Sequence, residues 1–193
     1  MLSGIINKLN WVDLVFVILI IRMGYVAVRN GFLVEIFKIS GTILAIYLGC
    51  HYYASLAAFF HSRLGREGSP VAVPEALSFI VLCVLGYVIF ILPRRLLMRF
   101  LKIEVVPLLN MWGGFILGIC RGVLFSGLLF LAFSISMRDY LHLSVAQSFS
   151  GPRLVNVVAG TYSGIWNTVM SKFMHGEKYN AVLESVRSGL INK

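Results

Sequence analysis

The sequence predicts an all-α membrane protein, with four transmembrane helices and an amphipathic C-terminal helix at the membrane interface. Three observations predict it. The chain of 193 residues is 59% apolar and only 13% charged, well outside the usage of soluble domains. Its apolar residues come in long blocks rather than in alternating or half-helical stripes. Four of those blocks approach or exceed the roughly 20 residues that cross the hydrocarbon layer. In that layer each backbone amide must be bonded within its own segment, so the blocks are helices. A membrane domain over residues 1–140 is expected, with spans at about 11–29, 32–60, 76–92 and 111–137, followed by a tail over 141–193.

The first span carries Asp13 and Arg22. It runs on through Arg22 without an A-x-A-like exit, and a second span follows at once, so it reads as retained rather than as a cleaved signal peptide. Asn10 is placed to cap it, which leaves Asp13 in a first turn that favours negative charge. Asn30-Gly31 is a turn pair leading into the second span, whose charges, Glu35 and Lys38, lie near its start. Residues 61–74 hold two glycines and two prolines with mixed charge and read as a solvated loop. The third span is uncharged, closes at Pro93, and is followed by Arg94, Arg95, Arg99 and Lys102. Pro107 precedes the fourth span and Asn110 is placed to cap it.

Basic residues set the expected orientation. Arg29, Arg94, Arg95, Arg99 and Lys102, with Arg22 and Lys38 within snorkelling reach, outweigh Lys8, Arg63, Arg66, Arg138 and Arg153. The positive-inside rule then puts the first and third connections in the cytoplasm and both termini outside. The net charge of +9 suits anionic lipid rather than nucleic acid. The expected partners are the bilayer and unidentified membrane or envelope proteins, with a homo-oligomer as one form.

Beyond Leu143, Ser148, Ser150, Gly151 and Pro152 make a break. Val155, Val158, Tyr162, Ile165, Trp166, Val169, Met170 and Phe173 then recur at helical spacing. This helix either lies in the membrane interface, anchored by Tyr162 and Trp166, or packs on the rim of the bundle. Residues 177–190 have the composition of one more short polar helix.

No catalytic, cofactor or metal site is expected. Cys50, Cys83 and Cys120 are scattered among the spans, and His51, His61, His142 and His175 lack the spacing of a metal pair. Gly160-Thr161-Tyr162-Ser163-Gly164 is a near miss for a nucleophile elbow, but it follows no strand. The informative residues are small or charged and lie within the spans. Gly114, Gly118 and Gly122, extended by Ser126, share one face of the fourth helix, and Gly41, Ala45 and Gly49 repeat the spacing on the second. Such rows let helix backbones approach closely, and the simplest expectation is that the two rows face each other. A seam between copies is the other. Arg121 costs about 2.5–3.5 kcal/mol at the centre of a span. Either Arg121 and Arg22 both snorkel to headgroups, or they join an interior polar cluster whose nearest acids are Glu35 and Glu104.

These residues carry a resemblance. Trp11-Val12-Asp13, the turn Arg29-Asn30-Gly31-Phe32 followed by Glu35, His51-Tyr52-Tyr53, and Gly114, Gly118, Arg121 and Gly122 resemble the pattern of the colicin V production protein family of bacterial inner-membrane proteins. Asn110-Met111 stands where that family has Asp-Arg, and an Asn is inserted between Arg29 and Gly31. The resemblance covers about residues 10–175. It implies a four-span inner-membrane protein supporting production or export of a peptide toxin and envelope homeostasis. Two function classes follow: a non-enzymatic accessory or scaffold, or a small oligomeric transporter or channel with a path lined by Asp13, Arg22 and Arg121.

Overall fold

The computed structural model describes residues 10–64, 72–100, 106–136, 140–173 and 179–180. Among these, all regular structure is helical. The long helices are α1 (Trp11–Asn30), α2 (Phe32–Leu64), α3 (Ala72–Ile89) and α5 (Pro107–Ser136). Between α3 and α5 lies α4 (Ile91–Phe100); after α5 come α6 (Tyr140–Gln147) and α7 (Gly151–Ile165). A wide π turn at Trp166–Met170 and a last turn, α8 (Ser171–Phe173), complete the order. Four stretches are long and apolar enough to span a membrane: Trp11–Asn30, Phe32–Arg63, Pro74–Leu96 and Pro107–Ile135, with mean hydropathies of 2.1, 1.7, 2.6 and 2.1.

Burial separates a central helix from lipid-facing ones. The most apolar part of the Pro107–Ile135 span is half buried, against 22% for the Trp11–Asn30 and Pro74–Leu96 spans. The exposed faces of α1 (Leu14, Val17, Ile18, Ile21) and α3 (Ile80, Val81, Val84, Leu85) are strongly apolar. Continuous apolar faces of this kind suit lipid and not water. The core gathers toward the end far from the α1–α2 turn, around Ile46, Tyr53, Phe79, Phe130, Leu131, Val155 and Val158.

Several boundaries differ from the sequence-based expectation. α2 continues to Leu64 and α3 begins at Ala72, because Pro74 falls in the first turn of α3, where a missing N–H costs nothing. Pro93 does not end the helical path. It sits in the first turn of α4, which continues beyond a turn at Phe90. α5 begins at Pro107, so Asn110 lies inside its first turn. Its side chain is therefore not spent on α5: the Asn110 Oδ1 accepts the N–H of Phe32 at 2.8 Å and caps α2. The short helix expected at 177–190 lies almost wholly outside the described residues.

The two glycine rows do not face each other. A Cβ on Gly114 would lie 2.9 Å from the carbonyl oxygen of Ala27, and one on Gly118 would overlap the Ala27 methyl. Gly122 opposes Ile20 and Met23. That row receives α1. Gly41, Ala45 and Gly49 instead receive α3, through Tyr87 and Phe90, Gly86, and Cys83 and Phe79 respectively. Equal spacing shows that a row admits a neighbour but not which one, and here each row takes a different partner within the chain.

The tail helix α7 resolves the two readings of its apolar face in favour of packing on the bundle. Leu154, Val155, Val158, Ala159 and Tyr162 are buried, against α5 and α2. Tyr162 is fully buried and Trp166 nearly so; they are core residues and not lipid anchors. Val169 and Phe173, at the far end of the stripe, stay exposed.

Candidate functional site: two buried carboxylates at opposite ends of the bundle

The α1–α2 hairpin makes the first site. Gly31 has φ 81°, a conformation that favours glycine, and its N–H closes α1 on the Ala27 carbonyl at 3.0 Å. The tight turn places Glu35 one turn into α2, where it is completely buried. Its Oε1 accepts from the Asn30 amide at 3.0 Å and from Lys38 at 2.8 Å. Its Oε2 lies 2.9 Å from Nε of Arg121. That N–H is not directed at the oxygen, so the contact is a close charge pair rather than a directed hydrogen bond.

Arg121 lies near the middle of α5, yet it meets an acid near the start of α2. Helical side chains lean toward the N-terminus of their helix, and the N-terminus of α5 is at the hairpin level, as the Asn110–Phe32 bond shows. Arg121 is thus neither snorkelling nor alone; it is 6% exposed and ties α5 to α2. Arg22 differs: it sits on the exposed face of α1. Arg29 is also exposed and lies 4.7 Å over the Tyr25 ring, while Phe32 packs its ring on Gly113.

The second site is at the other end. Asn10 and Asp13 form a reciprocal cap, with the Asp13 Oδ2 accepting the Asn10 N–H at 3.0 Å. The same carboxylate also receives the tail. Its Oδ1 accepts from the N–H of Ser150 at 2.8 Å and the hydroxyl of Ser150 at 2.5 Å, and Oδ2 accepts the N–H of Phe149 at 3.2 Å. Ser150 makes no side-chain cap to its own helix. Asp13 caps α7 in its place, at the positive end of that helix's dipole. The Asn10 amide adds a bond to the Ser144 carbonyl at 3.2 Å, so α6 and α7 are both fastened to the start of α1.

Asp13→Ala is expected to cost about 1.5–3 kcal/mol, the range for hydrogen bonds to a charged group, and to loosen the tail. Limited proteolysis of the folded protein should show faster cleavage within 140–170. A tail as resistant as in wild type would count against this latch.

Near the same end, His51 is stacked between Tyr47 and Trp166, with ring centroids 5.3 and 5.2 Å away. Its Nδ1 is 2.9 Å from the Tyr162 hydroxyl, and that hydroxyl oxygen accepts the N–H of Asn180 at 3.2 Å. Burial pushes the Tyr162 phenol up to about 12, so it stays neutral at physiological pH. The Asn180 amide bonds the Cys50 carbonyl at 2.8 Å, which brings the chain after α8 back to α2. Nothing in the spacing of His51 and Tyr162 announces that they meet.

The structure therefore does not bring together Asp13, Arg22 and Arg121. The first is bound to the tail, the second is exposed, and the third is paired with Glu35. Among the described residues no group of three metal-ligating side chains is found.

Searches among curated proteins and among solved structures each find no match. The family model described as colicin V production protein matches residues 12–159, a stretch that begins beside Asp13, includes Glu35 and Arg121, and ends within α7. With most of the chain matched and four helices suited to span a membrane, the protein is a membrane protein that belongs to the colicin V production protein family.

Proposed function

We propose that this chain is a non-enzymatic accessory or scaffold protein of the bacterial inner membrane, supporting toxin production or export and envelope homeostasis. One observation carries the reading. Both buried carboxylates of the spans are engaged in joining helices: Glu35 links α1, α2 and α5, and Asp13 links α1 to the tail. Charges held this way hold a shape rather than form a path. The apolar outer faces of α1 and α3 remain for lipid, for a membrane partner or for a second copy, since the glycine rows are filled within one chain. The role in toxin production is carried over from the family.

The test is a photo-crosslinking screen from the exposed faces of α1 and α3, beside a flux assay in liposomes. Crosslinks to a defined membrane or envelope protein, with flux no higher than in empty liposomes, are expected. Solute or ion flux that Arg121→Leu abolishes would overturn the scaffold reading in favour of a transporter or channel.

The orientation is proposed from charge, with the α1–α2 turn and α4 on the cytoplasmic side. In a chain freed of its native cysteines, a cysteine replacing the exposed Gln147 is expected to react with an impermeant thiol reagent from outside. One replacing Arg95 should react only after the membrane is opened. The reverse pattern would show that the distribution of basic residues misled.

A further inference from the structure

The hairpin end carries a second feature that the ion cluster does not use. The end of α1, the start of α2 and α4 border an open groove of about 470 Å³, lined by Asn30, Val34, Arg94, Arg95 and Arg99. Arg94 also borders a small cleft with Lys38. No hydrogen bond or ion pair of the Arg94, Arg95 or Arg99 side chains occurs with any described residue. The nearest acid of the hairpin, Glu35, already holds two cations, Lys38 and Arg121, and does not neutralise the groove. Three guanidinium groups around one concave space form a site for a polyoxygen anion, since planar donors match phosphate.

The surroundings select the source of that anion. α4 is amphipathic: Leu92 and Leu96, one helical turn apart, are 63% and 57% exposed and lie beside the arginine face. A helix with exposed leucines next to arginines, at the end of a span, sits with its apolar side in the acyl region and its charges at headgroup level. Val34 adds an apolar patch to the groove itself. We propose that this groove is a binding site for the phosphate of an anionic phospholipid headgroup, with Arg94, Arg95 and Arg99 as its ligands and Leu92 and Leu96 beside the acyl chains. The site needs the chain to be a membrane protein and is independent of the scaffold reading.

Native mass spectrometry of the detergent-solubilised full chain tests it, with phosphatidylglycerol, phosphatidylcholine and inorganic phosphate as probes. The triple substitution Arg94→Gln, Arg95→Gln, Arg99→Gln is compared with Arg22→Gln, Arg63→Gln, Arg153→Gln, which removes equal charge elsewhere. The groove triple is expected to weaken phosphatidylglycerol binding on the order of 100-fold, from three basic contacts, and the control triple by less than about tenfold. Phosphatidylcholine should bind wild type more weakly, and inorganic phosphate should not displace the lipid. Should the groove triple not fold, Arg99→Gln alone, on an exposed side chain, should lower affinity roughly fivefold. Equal losses in both triples, equal binding of the two lipids, displacement by inorganic phosphate, or wild-type affinity of Arg99→Gln would each overturn the site.

Discussion

Arg121→Leu is expected to destabilise the folded chain by about 3–5 kcal/mol, the range for removing one partner of a buried pair. Glu35 would lose one of its two cations at a position with no solvent access, leaving Lys38 and Asn30 as its partners. Lys38, 12% exposed at its side chain, compensates in part and sets the loss toward the lower end. Thermal unfolding in detergent, followed by the monodisperse fraction after heating, reads the effect. Glu35→Leu combined with Arg121→Leu should recover part of the loss, because an apolar pair removes the uncompensated charge. It should not recover all of it, because Lys38 then lacks its carboxylate. Arg22→Leu, on the lipid-facing side, should change little. An Arg121→Leu protein as stable as wild type would show that the guanidinium and Glu35 do not depend on each other.

The contrast between Arg22 and Arg121 shows how far the sequence could be read. Both are single arginines in apolar helices, and composition gives each the same insertion problem. The spans themselves were legible, because the requirement for about 20 apolar residues acts on contiguous sequence. Partner identity is not contiguous. Glu35 and Arg121 lie on different helices, and Asp13 meets Ser150 across 137 positions. A signal for the second pair did exist: Ser150-Gly151-Pro152 is a helix start, and Asp13 is an acid that suits one. Nothing local says that the acid of one helix would cap another. The same holds for Asn110, whose place just before the apolar run of the fourth span suggests a local cap while its side chain serves Phe32 across the bundle. The helix ends differ from the expected ones by a few residues around Pro74, Pro93 and Pro107, because a proline fits within a first turn as well as it ends a helix.

Gly118→Leu is expected to cost about 3 kcal/mol or more, above the usual range for added methylenes, because the obstacle is another helix. The first added carbon already overlaps the Ala27 methyl and lies 3.2 Å from the Met23 carbonyl oxygen, and a leucine adds three more. The two helices would have to separate along the row from Gly114 to Gly122, and in lipid no hydrophobic effect between helices offsets the lost contact. Alanine at 118 should therefore also be measurably destabilising, by about 1–3 kcal/mol. Gly127, which lies off the row, is no neutral control. A Cβ there would lie 2.5 Å from Val158 Cγ2 and 2.6 Å from the Leu154 carbonyl oxygen, so Gly127→Leu should push α7 away from α5. The discriminating control is Gly160, around which a Cβ meets nothing within 4 Å. Gly160→Ala should be neutral or stabilising by up to about 1 kcal/mol through helix propensity. Melting of the four variants in one detergent should rank Gly160→Ala at or above wild type, then Gly118→Ala, with Gly118→Leu and Gly127→Leu lowest. Disulfides between copies of a Gly118→Cys variant would contradict the placement of Ala27 against this row, and equal stability of Gly118→Leu and Gly160→Ala would remove close helix approach as the reason for the glycines.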